Sequence, residues 1–187
     1  MAIAASAGGL RALTSVLSAL TSDFPAAVVV VQHLDPRHRS LMAELLSRQS
    51  RLPVKQAEEG DALRPGSVFV APPDRHLLVN ADGTLSLSKT ELVHFLRPSA
   101  DLLFESVAAS FKDRAIAVVL TGTGSDGASG LQAIKKMGGT VVTQDEGTSE
   151  FFGMPSAAIQ TGRVDFVLPL NEIGQALTTL VVRGDGT

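Results

Sequence analysis

The chain of 187 residues contains no cysteine, which excludes disulfides, thiolate metal sites and cysteine nucleophiles. A reducing cytoplasm is compatible with that absence and is the expected location. There is no basic excess either. The formal net charge is −3, so nucleic acid is disfavoured as a partner. The longest purely apolar run, Pro25 to Val31, falls far short of the roughly 20 residues that a membrane helix needs. No charged region precedes an apolar one at the start, so no signal peptide is visible, and no membrane insertion is expected. Internal repeats and low-complexity tracts are also missing. What remains is a chain with 44% hydrophobic residues, enough for one domain with a substantial core. Its first strand begins almost at Met1, which suggests a domain cut from a longer protein.

The sequence is organised around Ala5-Ser6-Ala7-Gly8-Gly9. A short apolar run precedes it (Ala2-Ile3-Ala4), and helical spacing follows at Leu10, Leu13, Val16, Leu17 and Leu20. A strand that turns sharply into a helix needs small residues at the turn, and Gly8 and Gly9 supply the freedom. Ser6 is then the one reactive side chain at a strand end, beside free N–H groups of a helix N-terminus. Two readings stay open on this stretch. Ser6 is a nucleophile on an elbow-like turn, or the turn cradles an anion and Ser6 caps the helix.

Further along, Ala26 to Val31 is a continuous apolar run, the mark of a strand covered on both faces in a parallel sheet. It ends at Gln32-His33, and Ser40 to Arg48 reads as a second helix. Pro53 to Gln56 and Val68 to Ala71 read as short strands, the latter stopped by Pro72-Pro73. Leu77 to Val79 and Thr84 to Leu87 flank Asn80-Ala81-Asp82-Gly83, a hairpin signal, and residues 60–90 read as a small antiparallel insertion. Ser99 is placed to cap a helix with Leu102, Leu103, Val107 and Ala108 on its apolar face. Ala115 to Leu120 is a second buried strand, opening into Thr121-Gly122-Thr123-Gly124-Ser125-Asp126-Gly127 and a helix through Leu131, Ile134 and Met137. Thr140 to Thr143 and Phe166 to Leu168 complete the strands. Pro155 is expected as a first helical residue, and Ile173 to Val182 as the closing helix. The fold class is α/β: a doubly wound, mostly parallel sheet with helices on both faces and an inserted antiparallel hairpin. The domain is expected over residues 1–182, with 183–187 as a disordered tail.

Three strand ends thus present Ser6, His33 and Asp126, and in an open parallel sheet such positions face one crevice. A serine, a histidine and an aspartate are the parts of a nucleophilic triad, whose chain order is not fixed. Each also has a plainer role. His33 could end a strand on backbone bonds, Asp126 could cap the helix after its loop, and the glycines could form a phosphate nest without a Walker lysine. His38, His76 and His94 lack metal-ligand spacing and read as structural. Composition and spacing leave these readings open.

Five motifs carry a resemblance. Ala5-Ser6-Ala7-Gly8-Gly9, Val31-Gln32-His33, Ala71-Pro72-Pro73-Asp74-Arg75-His76, Arg97-Pro98-Ser99-Ala100-Asp101-Leu102-Leu103-Phe104 and Leu120 to Ala128 stand as in the CheB-type protein-glutamate methylesterases. The chain resembles that family's catalytic domain from Ile3 to about Leu177. The resemblance implies a nucleophile at Ser6, a base at His33 and an orienting carboxylate at Asp126. It implies hydrolysis of glutamyl methyl esters on methyl-accepting chemoreceptors, releasing methanol, and often deamidation of receptor glutamines. Backbone groups of Ala7, Gly8, Thr123 and Gly124 are the candidate oxyanion and substrate loop, and the N–H groups near Ala7 and in the Thr121–Gly124 loop are the candidate oxyanion donors. No metal or organic cofactor is required.

Several positions depart from the family pattern. Many members carry threonine at Ala7, methionine at Thr123 and glycine at Ala4. The phosphorylatable receiver domain has no counterpart, and Gln32 to Arg39 with the Thr123 loop look more like esterase modules fused to receptor methyltransferases. A fused or separate methyltransferase or receiver domain is therefore an expected partner, and phosphorylation control is not carried over. Arg97 and Arg37 read mainly as solvated charges, with contact to an acidic receptor segment as the sharper option. Two rival functions are a phosphate- or nucleotide-binding module and a non-catalytic scaffold.

Overall fold

A computed structural model describes residues 1–33 and 40–184. Nine strands and six α-helices lie along them: β1 Ala2–Ala5, α1 Gly9–Ser18, β2 Val28–Gln32, α2 Met42–Ser47, β3 Val54–Gln56, β4 Val68–Val70, β5 His76–Val79, β6 Leu85–Ser88, α3 Ala100–Phe111, β7 Ile116–Val119, α4 Gly130–Lys136, β8 Thr140–Gln144, α5 Gly153–Gln160, β9 Phe166–Leu168 and α6 Leu170–Gly184. Seven strands form one sheet in the order β3-β4-β2-β1-β7-β8-β9, and every pairing in it is parallel. β5 and β6 form a separate antiparallel pair. The expected doubly wound α/β architecture with an inserted hairpin is the observed one.

The apolar runs explain the layering. Alternate residues of a strand point to opposite faces, so a strand buried on both must be apolar throughout. Ala2 and Ala4 of β1 join a core with Val29, Val31, Phe104, Val107 and Leu131, under α3, α4 and α5. Ile3 and Ala5 point the other way, into a core with Leu13, Val16, Leu46, Ile173 and Leu177 of α1, α2 and α6. β1, paired on both sides, runs through the centre of both.

Four expectations change. β4 lies inside the stretch 60–90 but pairs with β2 and β3 in the main sheet, so the insertion is the β5–β6 hairpin alone. Val68, Phe69 and Val70 are all buried, and burial on both faces drives that choice. α5 starts at Gly153, which makes Pro155 its third residue. Proline is accepted there because the first-turn N–H groups lack intrahelical partners anyway. α6 starts at Leu170, directly after Pro169, whose carbonyl accepts from the Glu172 N–H at 2.9 Å. The same helix runs through Gly184, past the expected boundary at 182, while residues 185–187 lie outside the described residues. Arg37 and His38 lie outside them as well, with the rest of the stretch 34–39.

Candidate active site

The site grows from three adjacent strands in the middle of the sheet. β1 sits between β2 and β7, and their carboxyl ends open into Ser6, His33 and the 121–127 loop. Ala5 pairs with Gln32 in register, so Ser6 and His33 are the next residues on neighbouring parallel strands. The His33 N–H donates to the Ala5 carbonyl at 3.2 Å, continuing the ladder one step past the strand.

Ser6 is fixed through its backbone. Its N–H donates to the Thr121 carbonyl at 3.0 Å, and its own carbonyl accepts from the Gly9 N–H at 2.8 Å. Gly8 turns the chain into α1 with φ +77°, a left-handed conformation that glycine adopts without a Cβ penalty. Gly122 matters for space: a Cβ there would lie 2.3 Å from Met154 Sδ and 2.8 Å from Ser6 Cβ. The expected need for glycine at the serine turn is therefore met at Gly8 by conformation and across the site at Gly122 by volume.

His33 Nε2 lies 2.7 Å from Asp126 Oδ2, with the histidine side chain 11% exposed and the aspartate 1%. Among the described residues its Nδ1 makes no hydrogen bond. A carboxylate on Nε2 holds the proton there and leaves Nδ1 as the basic nitrogen.

Asp126 does not cap the helix after its own loop, the plainer role open to it. It sits instead at the N-terminus of α3, where Oδ2 accepts from the Ala100 N–H at 2.7 Å and Oδ1 from the Asp101 N–H at 3.3 Å. Ser99 occupies the cap position, but its hydroxyl makes no cap bond to the helix and donates to Asp126 Oδ1 at 2.9 Å. In return, Asp101 in the first turn of α3 accepts from the Gly130 N–H, the first of α4, at 2.8 Å. The two helices exchange caps. Burial pushes the Asp126 carboxyl up, but bonds from His33, Ala100 and Ser99 outweigh it and hold the group below the ordinary aspartate value. Asp101 goes the other way, raised by burial with a further push from Asp126.

Thr121 opens the loop expected to supply oxyanion donors, and the structure makes it a junction instead. Its buried Oγ1 lies 3.1 Å from the Ala7 carbonyl and 3.2 Å from that of Phe151, and accepts from the Phe151 N–H at 2.8 Å. The Thr121 N–H goes to Gln144 Oε1 at 2.9 Å and the Gly122 N–H to the Phe151 carbonyl at 2.9 Å. Both amides are engaged, which removes them as oxyanion donors. Among the described residues the N–H groups of Ala7, Gly8, Thr123 and Gly124 make no such bonds. Thr123 and Gly124 are exposed.

His76 is fully buried, its Nδ1 accepting from the Ser99 N–H at 3.2 Å and its Nε2 donating to the Glu91 carbonyl at 3.0 Å. His94 is exposed, 3.9 Å from Asp101. Arg97 is no free surface charge: it bonds Asp74 through Nε at 3.0 Å and the Thr90 carbonyl through Nη1 at 2.7 Å. Among the described residues, no helix is long and apolar enough to cross a membrane.

A model of the CheB methylesterase family matches residues 1–177. The chain belongs to the CheB methylesterase family. It is 47% identical over 178 residues to a protein-glutamate methylesterase/protein-glutamine glutaminase of Anaeromyxobacter dehalogenans, covering 95% of this chain and 52% of the relative. A putative enzyme of the same name from Leptospira interrogans is 42% identical, with 95% of this chain and 92% of the relative covered. The crystal structure of the Thermotoga maritima CheB methylesterase catalytic domain matches with a TM-score of 0.93 at 40% identity, over 96% of this chain and 97% of that one. The chain spans about half the length of several of its CheB relatives.

Proposed function

We propose that this CheB-family chain is a serine hydrolase that cleaves glutamyl methyl esters on methyl-accepting chemoreceptors and deamidates receptor glutamines. The observation that carries the reading is the 2.7 Å bond between His33 Nε2 and a carboxylate held ionised at a helix N-terminus, one strand from Ser6. His33 Nδ1 takes the Ser6 proton as Oγ bonds to the ester carbonyl carbon. The carbon–methoxy bond then breaks, and methanol leaves with that proton. Water, deprotonated by the same nitrogen, opens the glutamyl-serine ester and returns glutamate and free Ser6. Asp126 stabilises the imidazolium in both steps. The N–H groups of Ala7, Gly8, Thr123 and Gly124 are the donors for the oxyanion. The scheme needs no cofactor.

The anion-cradle reading is weakened at both glycine turns, because each already carries a carboxylate of the chain. Glu150 Oε2 lies 3.0 Å from where a Gly8 Cβ would stand, and Asp126 lies within the second loop. A phosphate there would meet like charge. The scaffold reading has no use for a buried histidine–aspartate pair. The catalytic domain in this proposal runs through the end of α6 and works in the cytoplasm. The rest of a longer protein, a methyltransferase or receiver domain, supplies the regulation.

The test is methanol release from a methyl-esterified receptor fragment by the wild type and by Ser6→Ala. Activity lost in a folded Ser6→Ala protein supports the covalent scheme. Equal release by both proteins sinks Ser6 as nucleophile.

A further inference from the structure

Gln32 closes a run of four valines at the end of β2 and is 5% exposed. An amide in such a place must find partners or cost stability. Its Nε2 finds two: the Ser6 carbonyl at 2.8 Å and the His33 carbonyl at 3.0 Å. One NH₂ group therefore ties together the backbones of the proposed nucleophile and base. Its Oε1 is buried without a hydrogen-bond partner among the described residues. An unbranched apolar side chain would fill the same space without an orphaned acceptor, so the amide is tolerated for what its donors do.

Gly9 points to the same amide. It has no positive φ, so the turn does not require glycine there. A Cβ on it would instead lie 1.9 Å from Gln32 Oε1 and 2.8 Å from Cδ. The space left open at the start of α1 is the space the amide occupies.

We infer that Gln32 is a positioning residue whose amide sets the distance between Ser6 and His33. Ser6 is already anchored to Thr121, just past β7, through its N–H and to α1 through its carbonyl, while His33 depends on β1 alone for its backbone N–H bond among the described residues. The bridge from Nε2 supplies the missing tie. Gln32 touches no substrate in this account; it acts through the two backbones. The inference rests on the triad proposed above.

The test compares Gln32→Met, Gln32→Glu and Ser6→Ala in the 187-residue chain. Three quantities are read: kcat and KM for methanol release from a methyl-esterified receptor fragment, thermal midpoint, and the rate of labelling by a fluorophosphonate. In the labelling, Ser6 Oγ bonds to phosphorus, fluoride leaves and His33 takes the proton, with no receptor involved. Gln32→Met keeps a thermal midpoint near wild type, because loss of the orphaned acceptor offsets the donor lost to the His33 carbonyl. Its kcat and labelling rate fall together by about 10- to 100-fold, the scale of a misplaced reacting pair, with KM within about twofold. Gln32→Glu, the same shape without a hydrogen to give, falls at least as far at pH 7. A Gln32→Met protein with wild-type kcat and labelling overturns the inference, as does a loss of kcat no larger than its loss of folded protein. Persistent labelling and methanol release by Ser6→Ala overturn the triad instead, whatever the Gln32 variants do.

Discussion

His33 and His76 both meet the same helix end. His33 reaches Asp126 at the N-terminus of α3 from β2, and His76 reaches the Ser99 N–H at that terminus from β5. Both are largely buried, and both are one bond from the network that holds Asp126. They differ in what is left over. Both ring nitrogens of His76 are occupied, one accepting and one donating, which fixes a neutral tautomer. His33 spends one nitrogen on a carboxylate and keeps the other. A base needs a vacant nitrogen and a charge to balance the proton it takes, and only the β2 side of the helix end provides both.

The largest expected effect breaks that contrast at His33. His33→Ala lowers kcat for methanol release by about 10⁴-fold or more, as loss of a triad base does, with the thermal midpoint close to wild type. A loss of less than about tenfold would make His33 a strand-end residue like any other.

Asp126→Asn comes next. An asparagine presents one acceptor where the carboxylate takes bonds from His33, Ser99, Ala100 and Asp101, and it lets the imidazole turn to the wrong tautomer. kcat falls by about 10²- to 10⁴-fold. The same substitution alters stability against pH. The folded-state pKa of Asp126 is depressed, so its contribution is complete above the ordinary carboxylate value near 4 and disappears as pH falls through the lower folded value. Denaturant midpoints from pH 3 to pH 7 check this: the gap between wild type and Asp126→Asn closes toward acid.

His76→Ala sharpens the comparison from the other side. It leaves a cavity at a fully buried position and orphans the Ser99 N–H, so unfolding free energy drops by about 2–4 kcal/mol. kcat per folded molecule stays within a few-fold of wild type. A His76→Ala protein that melts normally yet loses activity like His33→Ala would erase the distinction between the two histidines.

Much of this contrast could be read from the chain before folding. The continuous runs around Val28–Val31 and Ile116–Val119 mark strands buried on both faces, and Ser6, His33 and Asp126 follow such runs. Their meeting at three neighbouring strands depends on the order β2-β1-β7, which local pattern does not encode. The caps were less legible. Ser99 and Asp126 each have the local look of capping their own helix, yet the carboxylate of one segment caps the helix of another, 26 residues away in the chain. Thr121 and Gln32 act through backbone groups far along the chain, so no spacing rule reaches them. Gln32 reads in sequence as the polar end of the valine run, whereas it is the buried last residue of β2.

The smallest expected effect separates the two aspartates that share the helix end. Asp101 is raised where Asp126 is lowered, burial and the neighbouring Asp126 charge both opposing its ionised form. The sign therefore reverses. A carboxyl bound more tightly to its proton in the folded state subtracts stability above its folded pKa, and the penalty lifts as pH falls through that value. Asp101→Asn removes the charge but keeps an acceptor for the Gly130 N–H. Its denaturant midpoint at pH 7 is equal to or above wild type, and the difference shrinks toward acid, whereas Asp126→Asn starts below wild type and converges from beneath. Should Asp101→Asn fall as Asp126→Asn does, the exchange of caps between α3 and α4 would depend on the full charge of both carboxylates, and Asp101 would rank with Asp126 as a group held ionised by helix ends.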